Sequence, residues 1–226
     1  TYGLTDEEVE RMLIESYENV EEVEKGTPNL AHMVGIVRRA GIPAGVGINR
    51  FPDDTDAEID AVRRAALAAG AEGAEVIDAH ARGGAGAEDL ARAVIAACGK
   101  PSKLRPFYDA ARPIREKIET IARDVYGAGG VDYSPRAEEE IDRYEAWGLG
   151  KLPICMAKTP LSLSHDPKLR GAPTGFRVPV HEVRCSAGAG FLYPLLGDVM
   201  TMPGLPSFPA SERMDIDEKG NLIGLS

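Results

Sequence analysis

The sequence predicts an α/β fold: a doubly wound parallel sheet, followed by a smaller α+β region. Helix-like and strand-like segments alternate with short connections over roughly the first hundred residues, which is the rhythm of this fold class. The two strand-like segments there are apolar on both faces, as expected for strands buried in a parallel sheet. After Pro101 the texture changes, and strands and turns dominate toward the end of the chain.

Two helices are predicted before the first strand. Residues 5–25 begin with a Thr/Glu capping-box pair, and this helix is expected to end at Gly26 and Pro28. A second helix over about residues 29–40 carries one apolar stripe, and Gly41 closes it.

Strands and helices then alternate in the order strand, helix, strand, helix. The four elements are expected over residues 42–48, 55–70, 74–79 and 87–98. Asp54 or Thr55 is expected to cap the first of these helices, because a side-chain oxygen there can accept a hydrogen bond from the first turn.

Two further helices are predicted in the second part of the chain, before its strands. Residues 113–127 form a strongly amphipathic segment. Residues 134–148 begin with Ser134 at the N-cap and Pro135 at the first helical position, the preferred order for a helix start. From residue 151 onward, strands and turns are expected.

Composition limits the protein class and the location. The net charge of −10 disfavours binding to nucleic acid or to an anionic membrane surface. No apolar run approaches the roughly 20 residues that span a bilayer, and no secretory segment opens the sequence, so a cytoplasmic protein is expected. The three cysteines are few and widely spaced, and we expect them to be buried thiols. Trp147 is expected to pack against the core.

A domain boundary is expected near residues 100–106. It divides the chain into an α/β region, 1–104, and a carboxyl-terminal α+β region, 105–226.

Candidate site residues directly follow the two predicted strands, because ligands bind at the carboxyl ends of strands in such sheets. They are Asn49, Arg50, Phe51 and Pro52 after the first strand, and His80, Arg82 and Gly83 after the second.

Several motifs of self-contained enzymes are absent from the sequence. There is no G-x-x-x-x-G-K-[ST] phosphate loop and no G-x-G-x-x-G motif. The four histidines show no metal-ligand spacing, and no catalytic triad is apparent. The sequence therefore predicts neither a catalytic residue nor a metal site in this chain. The run SAGAG (186–190) is interpreted as a close-packed turn, with a phosphate cradle as the alternative.

Five long stretches resemble the carboxyl-terminal part of formate–tetrahydrofolate ligases, also called formyltetrahydrofolate synthetases. They are NLAHMVGIVRRAGIPAGVGINRFPDDTDAEI, HARGGAGAEDLA, IREKIETIARDVYGAGGVDYSP, LPICMAKTPLSLSHDPKLRGAPTGF and VRCSAGAGFLYPLLGDVMTMPGLPSFPA. The resemblance extends from about Asn29 to Ser226.

This resemblance implies a function in one-carbon metabolism. The family joins formate to tetrahydrofolate with ATP, through formyl phosphate, and makes 10-formyltetrahydrofolate. Its nucleotide-binding P-loop lies near the amino terminus and is missing here. The resemblance thus implies a partial P-loop-NTPase-like sheet, with ATP and magnesium bound on a P-loop-bearing partner subunit or half. A homo- or hetero-oligomer is expected. The alternative is a non-catalytic folate- or pterin-binding subunit, or a structural one.

The resemblance also implies roles for the loops after the strands. In the family, two aromatic residues sandwich the pterin ring, and the N-[RK]-F element places one of them at Phe51. The second is usually a tryptophan in an H-W-A-x-G-G-type loop, but this sequence has His80 there. Asn49 and Arg50 would offer hydrogen-bond donors to the ligand, and Pro52 would hold the backbone after Phe51.

Each of these roles has a plainer alternative. Phe51 could close the mouth of the sheet, and His80 could be an exposed loop residue without a function. Arg82 and Gly83 form either an anion contact or an ordinary strand-to-helix turn. Lys158 is either a contact for the polyglutamate tail or a phosphate, or a surface lysine.

Overall fold

A computed structural model of the chain describes residues 18–157, 163–196, 209, 212–217 and 222–224. The described α-helices are α1 (Val20–Arg39), α2 (Asp56–Ala68), α3 (Ala79–Arg82), α4 (Glu88–Cys98), α5 (Ile114–Asp124) and α6 (Pro135–Ala146). The described strands are β1 (Gly45–Asn49), β2 (Gly73–Ile77), β3 (Gly130–Tyr133), β4 (Arg177–Val180), β5 (Glu182–Ser186), β6 (Phe191–Leu195), β7 (Asp215–Ile216) and β8 (Leu222–Ile223). Short 3₁₀ helices cover Gly83–Ala87 and Leu149–Lys151.

The first region is built around a parallel pair of strands. β1 pairs with β2 in the register Gly45–Gly73 to Asn49–Ile77. One face of the pair packs on α1 and α2, and this core includes Val34, Ile48, Ile59, Ala66 and Ala74. Helix α4 lies on the other face, where a Cβ built on Gly47 would stand 3.1 Å from a side-chain methyl carbon of Leu90. This arrangement fixes the ends of β1 and β2 at one edge.

The predicted break between the first two helices is wrong. Helix α1 continues through Gly26 and Pro28 to Arg39. Proline has no N–H to donate to the carbonyl four residues earlier, but the Thr27 hydroxyl donates to the Glu24 carbonyl at 2.8 Å and replaces that bond. Residues 1–17, which contain most of the first predicted helix, lie outside the described residues.

Two of the predicted helix caps are confirmed, and the third, at the start of residues 5–25, lies outside the described residues. Thr55 and Glu58 form a complete capping box at the start of α2, and the Glu58 carboxylate also accepts a hydrogen bond from the Asn19 N–H at 2.8 Å. The hydrogen bond from the Asn19 N–H, and to a smaller extent that from the Thr55 N–H, lower the pKa of Glu58. Ser134 caps α6 and accepts from the Ala137 N–H at 3.1 Å, with Pro135 at the first helical position.

The second region combines two small sheets with α5 and α6. β3 pairs with β4 in parallel, and β5 forms an antiparallel hairpin with β6 through a turn at 187–190. The turn predicted for SAGAG is present, but it is not close-packed, because a Cβ built on Gly188 or Gly190 would meet no atom within 4 Å. A core of its own includes Ile114, Ile118, Ile141, Val180 and Leu192.

The mixed α/β class is confirmed, but the wider sheet is not established. The strands of the described ranges form four two-stranded sheets, two parallel and two antiparallel. A doubly wound P-loop-NTPase-like sheet and the division at residue 104 remain predictions. No helix in the described part of the chain is both long and apolar enough to cross a bilayer.

Two expectations about burial are wrong. Cys98 and Cys155 are exposed, and Cys185 is half-buried. Trp147 is 64% exposed and follows the end of α6, where its ring makes an edge contact with Tyr144 at 6.0 Å between centroids.

A buried lysine holds the start of the second region together. Lys117 of α5 has no exposed surface, and its ammonium donates to the carbonyls of Gly150 and Leu152 at 2.6 Å each. Burial lowers the pKa of Lys117, and the charge of Glu145 acts in the opposite direction. The lysine thereby joins α5 to the chain that follows α6.

Candidate functional site

A cavity of about 350 Å³ lies where β1 and β2 end. It is lined by Arg50, Phe51, Pro52, Asp78, His80 and Ala81. Its volume falls in the range of about 300–1,000 Å³ that is typical of small-molecule sites. The two loops meet there because the Arg50 N–H donates to the Ile77 carbonyl at 2.9 Å and so extends the pairing of the strands by one residue.

Phe51 is presented to solvent by a tight turn. The Asp54 N–H donates to the Phe51 carbonyl at 3.1 Å, and the Phe51 N–H donates to the Asp54 carboxylate at 2.7 Å. Pro52 fixes the backbone between them. The side chain of Phe51 is 60% exposed. The ring is therefore held on a rigid backbone but has a free apolar surface.

Arg50 is oriented by an ion pair with the first residue of α2. Its guanidinium Nη2 lies 2.9 Å from Oδ1 of Asp56, and both side chains are exposed. Such a pair contributes little to stability, at most about 1 kcal/mol. It nevertheless occupies part of the donor capacity that Arg50 could offer to a ligand.

The second wall of the cavity is the loop from Asp78 to Ala87. The Asp78 N–H donates to the Gly86 carbonyl at 2.9 Å, and the Arg82 N–H donates to the Asp78 carbonyl at 3.0 Å. A Cβ built on the buried Gly86 would lie 2.2 Å from the Asp78 carbonyl oxygen, so only glycine fits without a backbone shift. The segment predicted as a loop is in fact the short helix α3 followed by a 3₁₀ turn.

Two polar side chains in the cavity have no internal partner. Asp78 occupies the N-cap position of α3 but makes no side-chain capping bond. Within the ranges that the structure describes, neither Asp78 nor His80 makes a side-chain hydrogen bond or an ion pair. Asp78 is half-buried, whereas His80 and Phe51 are exposed.

The structure brings together four of the seven predicted site residues. Arg50, Phe51, Pro52 and His80 line the cavity, whereas Asn49, Arg82 and Gly83 are exposed and do not line it. Sequence reasoning missed Asp78 and Ala81. The sequence carries a signal for Asp78, because a carboxylate at the end of a parallel strand stands at the ligand-binding edge, but the apolar run predicts a strand that extends over residues 74–79 and includes it.

Metal ligation has no support in the described part of the chain. No group of three or more histidine, cysteine, aspartate or glutamate side chains there could hold a metal ion. The predicted contact of Lys158 lies outside the described residues.

Comparison with known proteins identifies the family. The family model described as formate–tetrahydrofolate ligase matches residues 7–226. The formate–tetrahydrofolate ligase of Roseiflexus sp. (strain RS-1) is 54% identical over 213 residues, which cover 93% of this chain and 37% of the relative. That of Desulforamulus reducens is 52% identical, covering 92% of this chain and 37% of the relative. The cytoplasmic C-1-tetrahydrofolate synthase of Schizosaccharomyces pombe is 49% identical, covering 92% and 22%.

These matches agree with the resemblance that the sequence motifs carry. The chain spans about 37% of the length of the bacterial relatives it matches. Over that span, it belongs to the formate–tetrahydrofolate ligase family.

Proposed function

We propose that this chain supplies the tetrahydrofolate-binding surface of an ATP-dependent ligase that makes 10-formyltetrahydrofolate from formate. A P-loop-bearing partner subunit or half completes the enzyme and binds ATP and magnesium. The observation that carries the proposal is the cavity at the ends of β1 and β2, which has Phe51 and His80 in its lining. A cytoplasmic location is part of the proposal.

The cavity suits a flat heteroaromatic ring. Phe51 offers an exposed apolar face on a backbone fixed by two hydrogen bonds to Asp54, so little conformational entropy is lost on binding. Stacking of aromatic rings contributes about 0.5–1.5 kcal/mol beyond the area that is buried. The imidazole of His80 provides a second, smaller ring in the same lining. The two residues support a pterin site.

The need for a partner is supported by an incompletely covered sheet. Parallel strands are normally buried on both faces, but no residue of α4 is buried, and the side chain of Ile95 is 71% exposed. A second cavity of about 430 Å³ remains between α4 and the starts of the strands, with Pro43, Gly45 and Val94 in its lining. Among the described strands, β1 and β2 pair only with each other. The remaining length of the ligase is the proposed cover.

A non-catalytic pterin-binding subunit is the second candidate. The observation that favours it is His80, which stands where the family usually has tryptophan and gives the ligand a smaller, polar ring. This candidate requires pterin binding without turnover in the presence of a P-loop-bearing partner. A purely structural subunit requires that pterin binding be absent as well.

The test combines tetrahydrofolate binding with turnover. Calorimetric titration measures binding, and ATP-dependent formation of 10-formyltetrahydrofolate is followed with the chain alone and then with a candidate P-loop-bearing partner. We expect turnover only with the partner. Replacing Phe51 by alanine should weaken tetrahydrofolate binding about 10- to 150-fold, because the ligand no longer buries a phenylalanine side chain worth about 1.5–3 kcal/mol.

The matched control is Leu104→Ala, which removes another exposed apolar side chain outside the cavity. The affinity of the Leu104→Ala variant for tetrahydrofolate should equal that of the wild type. Equal affinities for the Phe51 and Leu104 variants, in an assembly that turns over, would place the pterin elsewhere.

A further inference from the structure

We infer that Asp78 is the specificity-determining residue that reads the 2-amino-pyrimidinone edge of the pterin. This inference rests on the proposed function, since it concerns the same cavity. It names the chemical group of the ligand that the site recognises and the side chain that recognises it.

The carboxylate of Asp78 is available and held in place. It lines the cavity between the strand end and His80, and in the part of the chain that the structure describes it makes no hydrogen bond or ion pair. Its backbone is fixed on both sides, through its N–H to Gly86 and through its carbonyl to the N–H of Arg82. Gly86 packs so closely against the Asp78 carbonyl that a side chain at position 86 would not fit without a backbone shift.

A capping role does not account for the residue. Aspartate at an N-cap usually accepts a hydrogen bond from the first turn of the helix. Asp78 makes no such bond, and α3 is only four residues long. The half-buried Asp78 carboxylate faces the cavity without a partner in the described part of the chain, so it is free to accept hydrogen bonds from a ligand. A ligand with matching donors would satisfy it.

The pterin edge presents the matching donors. Its ring N3–H and its 2-amino group point the same way, so that one carboxylate can accept both in a bidentate pair. The other side chains of the cavity cannot do this: Arg50 carries only donors, and Phe51, Pro52 and Ala81 are apolar. His80 has at most one acceptor nitrogen when neutral.

The exposure of the lining residues leaves room for such a pose. Phe51 and His80 are exposed, and Asp78 is half-buried. In the inferred pose, the ring stacks on these two residues and presents its donor edge to the carboxylate. The opposite end of the folate, with its glutamate tail, is left toward solvent.

The experiment compares two ligands on variants that are matched in charge. Tetrahydrofolate and its 2-desamino analogue, which lacks one of the two donors, are titrated by calorimetry into the wild-type chain, Asp78→Asn and Asp53→Asn. Asp53 is an exposed aspartate near Phe51 that does not line the cavity. The titrations use the chain with its P-loop-bearing partner, and thermal unfolding confirms that each variant is folded.

We expect Asp78→Asn to bind tetrahydrofolate about 10- to 100-fold more weakly, since hydrogen bonds to a charged group are the stronger ones. The same substitution should weaken the analogue less, by about 3- to 10-fold, because only the bond from the ring N3–H is then at stake, and Asp53→Asn should leave both ligands unaffected.

An equal loss for both ligands would overturn the inference, because it would mean that Asp78 does not read the amino group. If Asp78→Asn binds tetrahydrofolate like the wild type while Phe51→Ala loses it, the inference is overturned and the proposed function stands. If wild-type protein binds neither ligand, the proposed function itself fails, and the inference fails with it.

Discussion

Replacing Lys117 by methionine should destabilise the protein without touching the candidate site. The Lys117 ammonium is fully buried and donates to the carbonyls of Gly150 and Leu152 at 2.6 Å. A third carbonyl, that of Ala110, lies at 3.5 Å and adds little. Methionine fills most of the same volume but donates no hydrogen bond, so both close carbonyls lose their charged partner.

The expected loss of folding stability is the difference between two opposing effects. Two hydrogen bonds from a charged donor contribute about 3–6 kcal/mol together. These are net values that already include the cost of removing the ammonium from water, and the added apolar surface of methionine offsets about 1–2 kcal/mol of them. We therefore expect the free energy of unfolding to fall by about 2–4 kcal/mol, which for a chain of this size lowers the melting temperature by about 4–16 °C.

Urea unfolding checks this value, followed by far-ultraviolet circular dichroism and by tryptophan fluorescence. Trp147 is the sole tryptophan of the chain and lies two residues before the 3₁₀ turn that Lys117 holds, so its emission reports on this segment. The control is Lys151→Met, which replaces an exposed lysine of that turn and should change stability by less than about 0.5 kcal/mol. Equal unfolding midpoints for the two variants would refute the assignment of Lys117 as an anchor.

Two further predictions concern stability. Thr55→Ala removes the capping box of α2 and should lower the free energy of unfolding by about 1 kcal/mol. Thr55→Ser keeps the capping hydroxyl and should keep the wild-type stability. Equal stabilities of the two variants in urea unfolding would contradict the capping role. Burial raises the pKa of the Tyr133 hydroxyl, and the charge of Glu119 adds to this. The folded state therefore keeps a proton that the unfolded state loses above about pH 10, so stability should fall as the pH rises beyond that value. Tyr133→Phe should reduce this fall, measured as urea midpoints at about pH 8 and about pH 11; an unchanged fall would exclude Tyr133 as its source.

Local sequence signals predicted the elements that depend on local chemistry. The caps at Thr55 and Ser134 were predictable because a capping side chain bonds to a backbone N–H only three residues away. The alternation of apolar strands and amphipathic helices predicted β1, β2 and the helices beside them. The ends of these strands also predicted where a cavity would form, because the rule that ligands bind at the carboxyl ends of parallel strands depends on topology alone.

The errors have physical causes that single positions do not reveal. Pro28 was expected to end a helix, but the hydroxyl of Thr27 takes over the missing hydrogen bond. Trp147 was expected in the core, but its place at the end of α6 leaves most of it exposed. Asp78 was missed because a strand end and a helix start follow each other without a loop, so that the residue belongs to neither.

The uncovered side of α4 has a consequence for the amount of this protein in a cell. If a separate partner polypeptide covers it, every assembled copy is stabilised by mass action, by about 2.7 kcal/mol when the partner is present at a hundred times the dissociation constant. Copies made in excess lack this stabilisation, and Ile95 with the neighbouring cavity stays open to chaperones and proteases. The steady-state level of the chain would then follow the synthesis rate of its partner, and the two polypeptides would accumulate in equal numbers whatever the ratio of their messages.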